Sequence, residues 1–178
     1  MFVRDANWYG GVVNFVKLLE RHLSEDVCVE EFQIGQRKNI SGRWLGLFVP
    51  LIDMARLTYR VIFNKYDVVH INPSLNGRSL VRDALFMLVI KLRGISNVVL
   101  FMHGWEDKTA TTIENWVLLR KLFNTLFGNA SAIYVLASQF RQKLVDWGVG
   151  ADSIQVVTTM FDGEKFDGVT RRRLDDGV

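Results

Sequence analysis

Apolar residues along the chain fall into short continuous runs separated by longer stretches with helical spacing. The clearest run is Val98-Val99-Leu100-Phe101-Met102, too short for a helix and rich in β-branched residues. It predicts a strand covered on both faces, as at the centre of a parallel sheet. Apolar positions 12, 15, 16, 19 and 23 form one stripe, opposite Asn14, Lys17, Glu20 and Arg21, and predict a first helix. Further strands are predicted at Met1-Phe2-Val3-Arg4, which looks like the last residues of a strand whose beginning is missing or very short, then at 27–34, 66–72, 130–137 and 154–159. The remaining helices are predicted over 43–64, 78–92, 109–127 and 139–147. Thr111 or Thr112 is the expected N-cap of the fourth, and Ser138 that of the fifth. Gly94 and Gly148 are the expected C-terminal stops.

Strand-like segments that alternate with helices imply a doubly wound parallel sheet of about six strands with helices on both faces. In such a sheet the ligand crevice lies at the carboxyl ends of the strands. That edge would collect Gly10 and Gly11 before the first helix, Asn72, Ser74 and Asn76 after the third strand, His103 and Gly104 after the central strand, and Ser138.

Composition narrows the function classes. The chain has 178 residues, 49% of them hydrophobic, enough for one domain with a substantial core. A net charge of +3 is too balanced for a nucleic-acid binder, while a pI near 9.1 suits an anionic substrate or a membrane surface. One cysteine, Cys28, excludes an internal disulfide and reads as a buried structural thiol in a reducing, cytoplasmic setting. The apolar stretch 43–64 contains Pro50, Asp53, Arg56 and Arg60, which favours a helix packed on the sheet over a membrane span. The alternative is an amphipathic helix resting on anionic lipid through Arg37, Lys38, Arg43, Arg56 and Arg60. Residues 163–178, with Arg171-Arg172-Arg173 and Asp175-Asp176, read as a linker or tail after a domain spanning 1–162.

The candidate chemistry centres on His103, as a general base, a hydrogen-bond donor to a sugar or phosphate oxygen, or a structurally satisfied ring. His70, inside a strand, reads as a packed and hydrogen-bonded histidine, and His22 as a solvated one. None has metal-ligand spacing with another, so no metal is expected. Paired glycines at a helix start can expose N–H groups to a phosphate or simply turn the chain, and the third glycine of a dinucleotide fingerprint is missing.

Gly10-Gly11 with the following helix, Tyr66-Asp67-Val68-Val69-His70, Phe101-Met102-His103-Gly104, and Ala130 to Ser138 followed by Gln139 to Leu144 recur in one order. Together with Trp147-Gly148-Val149 and Ile154 to Asp162, they resemble the N-terminal domain of retaining glycosyltransferases of the GT-B fold, group 1 type, over about residues 1 to 165. The resemblance implies a Rossmann-like domain on the acceptor side of an enzyme that moves a sugar from a nucleotide-diphosphate sugar to a glycan or lipid-linked acceptor. The expected setting is surface polysaccharide or glycolipid synthesis, on the cytoplasmic side of a membrane. It places His103 at the transferred sugar or acceptor region and Gly10 and Gly11 at the donor phosphates, with Ser138 capping a crevice-facing helix; the candidate donor residues are then Gly10, Gly11, Gly104 and Ser138, and the candidate acceptor residues Asn7, Trp8, Asn72, Ser74 and Asn76. It implies no cofactor besides the donor, no nucleic acid, a peripheral membrane contact, and a C-terminal nucleotide-sugar domain beyond these 178 residues. The junction departs from the family, with Thr159-Met160-Phe161-Asp162 where Asn-Gly-Val-Asp is usual. A different class remains open, a non-catalytic flavodoxin-like regulatory or partner-binding module, for which Asp5 would be the lone acidic marker.

Overall fold

The structure, a computed structural model, describes residues 2–4, 11–34 and 45–160. Its elements follow the order β1 (Phe2–Arg4), α1 (Gly11–His22), β2 (Phe32–Ile34), α2 (Leu45–Phe63), β3 (Val69–Ile71), β4 (Ser74–Leu75), α3 (Gly77–Leu92) and β5 (Val98–Met102). They continue with β6 (Gly104–Trp105), α4 (Asp107–Asn115), α5 (Val117–Phe123), a π-helical turn over Asn124–Gly128, β7 (Ala132–Val135), α6 (Ser138–Asp146) and β8 (Ile154–Val156). The protein is therefore α/β, with a four-stranded parallel sheet ordered β3-β5-β7-β8. The strands expected at both ends of the chain form, but β1 pairs in parallel with β2 as a separate two-stranded ladder. The single six-stranded sheet expected from the sequence is thus four strands plus two.

Alternation along the strands separates two packed layers. Ile71, Leu100, Met102, Ile133 and Val135 join the main core with Phe86, Met87 and Ile90 of α3 and Leu144 of α6. Phe101, on the opposite face of β5, packs with Phe15 and Val16 of α1, and Tyr134 of β7 lies against the same group. Helices therefore cover both faces, and burial of these residues is the main stabilising term. Phe86 and Phe127 are among the largest side chains fully withdrawn from solvent.

Local chemistry explains the ends of two helices. Gly94 adopts φ +81° and Gly148 φ +97°. In each case the following residue closes a Schellman motif: Ile95 N–H donates to Ile90 O at 3.2 Å, and Val149 N–H to Leu144 O at 3.0 Å. Both glycines end their helices as the sequence predicts.

Several expectations need correction. The strand predicted over 27–34 pairs only at Phe32–Ile34, so Cys28 lies outside the ladder and is exposed rather than buried. The helix predicted over 109–127 begins at Asp107, ahead of Thr111 and Thr112, and neither threonine caps it. It breaks at Trp116, whose φ and ψ of −115° and 105° are extended. Buried positions are Ala110 and Ile113 before the break and Phe123 after it, while Trp116 itself is exposed.

In α2 the helix runs from Leu45 to Phe63 with Pro50 inside it. Its arginines do not form a solvated basic face. Arg60 pairs with Glu30 at 2.6 Å and donates to Glu31 O, Arg56 lies 3.8 Å from the buried Asp53, and both guanidinium groups sit over the Phe32 ring. What α2 leaves exposed is apolar, including Leu51, Tyr59 and Phe63. Arg37, Lys38, Arg43 and the tail 163–178 lie outside the described residues. Among the described residues, no helix is long and apolar enough to cross a membrane.

Candidate functional site

The carboxyl ends of β3 and β5 carry the candidate chemistry. β3 and β5 are hydrogen-bonded neighbours, with Ile71 opposite Leu100, so Asn72 and His103 leave the sheet close together. His103 Nε2–H donates to Asn72 Oδ1 at 3.1 Å. This bond fixes the proton on Nε2 and leaves a lone pair on Nδ1. The imidazole stacks on Phe101 with ring centres 4.1 Å apart and meets the edge of Phe15 at 4.8 Å. Burial between these rings lowers the His103 pKa to about 4, so the ring is neutral at physiological pH.

His70 sits on the same sheet face, with Phe15 contacting it edge-on at 6.2 Å. Burial chiefly lowers its pKa to about 4 as well. It is packed as the sequence predicts, but its buried Nε2 has no hydrogen-bond partner. His22 is exposed, and its ring nitrogen Nδ1 lies 2.7 Å from Leu18 O.

Beyond Asn72 and His103 the two exit loops stay joined. β4 and β6 form a short parallel ladder that sets Ser74 opposite Gly104, and Glu106 N–H donates to Leu75 O at 3.0 Å. A Cβ on Gly104 would stand 1.8 Å from Ser74 Oγ and 3.1 Å from Ser74 Cβ. Gly104 is therefore required by this close approach, whatever role it has toward a ligand. Asn76 has a structural task too, since its Oδ1 accepts from Ser79 N–H at 3.1 Å and caps α3. Ser74 acts on the buried Asp83 of α3 through its backbone. Burial raises the Asp83 pKa, opposed by Arg82, which ion-pairs with it at 2.7 Å, and by that backbone hydrogen bond.

Gly11 opens α1, and a Cβ there would meet open space among the described residues. Its helix carries Phe15 onto the His103 ring, which brings the first turn of α1 to the same edge as Asn72 and His103. Ser138, expected as a cap, is instead the first residue of α6; Ala137 holds the cap position and no side chain bonds there. Asn7, Trp8 and Gly10 lie outside the described residues.

The structure thus brings together His103, Asn72, Ser74, Gly104 and the start of α1. Sequence reasoning missed the aromatic walls, because Phe15 and Phe101 occupy ordinary core positions in their helix and strand. Trp105, which stacks on Phe140 at 4.2 Å beside the same loop, was equally silent. Among the described residues no group of three His, Cys, Asp or Glu is placed to hold a metal ion. The arrangement can accept a proton or hydrogen bond at a neutral imidazole. The chain matches no model of a known protein family and no curated protein sequence.

Proposed function

We propose that the chain is the acceptor-side domain, residues 1–162, of a glycosyltransferase that moves a sugar from a nucleotide-diphosphate sugar to a glycan or lipid-linked acceptor. In this reading a second domain binds most of the donor. The observation that carries this is the neutral His103, oriented by Asn72 and walled by Phe101 and Phe15, at a strand-end edge shared with the first turn of α1. A neutral imidazole exchanges hydrogen bonds with sugar hydroxyls without placing a buried charge beside them. The N–H groups at the start of α1 suit a donor phosphate. The asparagine and serine of the β3 exit loop suit acceptor hydroxyls. Gly104 and Ser138 serve through their backbone.

The test is transfer of labelled sugar from a panel of nucleotide-diphosphate sugars by the full-length gene product, incubated with membrane and glycan acceptors. His103→Ala should lower turnover about a hundredfold, the scale of a positioned proton-transfer or hydrogen-bonding group. Equal turnover in wild type and His103→Ala overturns the assignment. Absence of transfer across the panel, together with no shift of the Asn72 and His103 resonances of this chain on adding the donors, overturns the transferase reading.

A further inference from the structure

A concave feature lies between α3, α4 and α5. It is a cleft of about 440 Å³, within the usual size of a ligand site, and its floor is Leu80, Ala84, Ile113, Phe123, Leu126 and Phe127. Glu106, Lys108, Thr109 and Thr112 form a polar mouth. Thr109 donates its hydroxyl to Glu106, so that carboxylate is already engaged.

The apolar character continues outside the cleft. On α3, Val81, Leu85, Leu88 and Leu92 recur at i, i+4, i+7 and i+11 and are all exposed, while Phe86, Met87 and Ile90 face the core. On α5 and the break before it, Trp116 is 63% and Leu118 74% exposed. Val81 and Leu122 belong to both the exposed surface and the cleft lining. Exposed cations border it: Arg78 at the start of α3, Lys108 at the mouth, and Lys121 between the lining residues Leu119 and Leu122. Apolar stripes with an aromatic residue and flanking cations suit the interface of an anionic bilayer.

The cleft wall adjoins the loops of the candidate site. Gly77 on its wall follows the α3 cap Asn76, and Glu106 at its mouth bonds to Leu75 between the paired loops that hold Ser74 and Gly104. A ligand with its chain in the cleft and its head at the polar mouth lies beside those loops.

From this juxtaposition we infer that the cleft holds the hydrocarbon chain of an anionic membrane lipid, drawn from the bilayer on which the α3 and α5 stripes rest. Resting on the transferase reading, this makes the acceptor a lipid-linked one rather than a free glycan.

The probe is dodecyl phosphate, titrated into this chain by calorimetry, with dodecyl maltoside as the neutral comparison. Thr112→Trp closes the mouth from an exposed position, and Ala84→Phe fills the floor. Circular dichroism and thermal unfolding show that each variant is folded. Each buried methylene contributes about 0.8 kcal/mol, so excluding even two of them weakens binding about tenfold. Both variants should lose at least that factor for dodecyl phosphate. Leu118→Ser, outside the cleft, should keep dodecyl phosphate binding but reduce sedimentation with phosphatidylcholine vesicles containing phosphatidylglycerol. It should also reduce quenching of Trp116 by brominated acyl chains in those vesicles.

Equal affinity of wild type and a folded Thr112→Trp for dodecyl phosphate overturns the proposal. So does equal affinity for the maltoside, and so does a concentration-dependent dimer that Leu118→Ser dissociates in a protein that binds no lipid. Lipid binding without sugar transfer leaves this inference standing and removes the transferase reading. Transfer to a free glycan by a protein that ignores dodecyl phosphate does the reverse.

Discussion

Two neutral imidazoles packed around Phe15 make the stability of this fold dependent on pH in the acid range. Histidine titrates near 6.5 in the unfolded chain, whereas His70 and His103 titrate at about 4 in the fold, chiefly because burial disfavours their charged forms. Below pH 6.5 the unfolded state binds more protons than the native one, so stability falls as pH drops from 6.5 toward 4 and is fully present above 6.5. A single group with these two values loses about 2 kcal/mol between pH 7 and pH 5. Both rings keep some contact with solvent, and screening reduces this to about 1 kcal/mol each, or about 2 kcal/mol for the pair. Two acids work the other way. Burial raises the pKa of Asp83, and burial with Glu31 nearby raises that of Glu20, so both favour the fold as it becomes more acidic. They are common to wild type and variant and cancel in the difference.

The assay is urea unfolding followed by tryptophan fluorescence at pH 7, 6 and 5, for wild type and for the pair His70→Phe with His103→Gln. The phenyl ring retains the edge contact with Phe15, and the glutamine amide retains a donor for Asn72. The pair should show a loss between pH 7 and pH 5 that is smaller than wild type by about 2 kcal/mol. An unchanged loss would mean that the rings are charged in the native state, and the account of His103 as a neutral hydrogen-bonding group would fall.

Gly104→Ala should cost about 1 kcal/mol, because Ser74 Oγ can rotate away but Ser74 Cβ remains at 3.1 Å from the new methyl. Adding Ser74→Gly should make the double variant more stable than the sum of the two single losses, and strict additivity in urea unfolding refutes the close contact. Asn76→Ala removes the cap of α3 and should lower stability by about 1 kcal/mol, whereas Asn76→Asp or Asn76→Ser should retain most of it.

How far the sequence specified the molecule depended on which residues carried local information. The strands at 98–102 and 132–135 were legible because short β-branched runs between helical patterns leave few alternatives. Gly94 and Gly148 were legible because a positive φ after a helix is a local requirement that glycine meets at little cost. The break at Trp116 was not, since no glycine or proline marks it. Nor was the setting of α2, where Glu30 and Phe32, distant in sequence, turn the arginines inward. In the site, His103 stood out as a titratable residue ending a buried strand. Asn72 was named for its polarity, but its bond to His103 depends on the pairing of β3 with β5. Asn76 shows the converse, a polar residue in the right loop whose side chain the helix start already engages.

The ladder of β4 with β6 joins two loops that would otherwise order separately. A rim tied in this way arrives at an encounter already shaped, so little chain entropy remains to be lost when a ligand docks. Capture at the Asn72–His103 edge should then proceed at a rate set by diffusion and orientation, without a slow closing phase in stopped-flow traces. Ligands that differ at this edge would be discriminated by how quickly they leave.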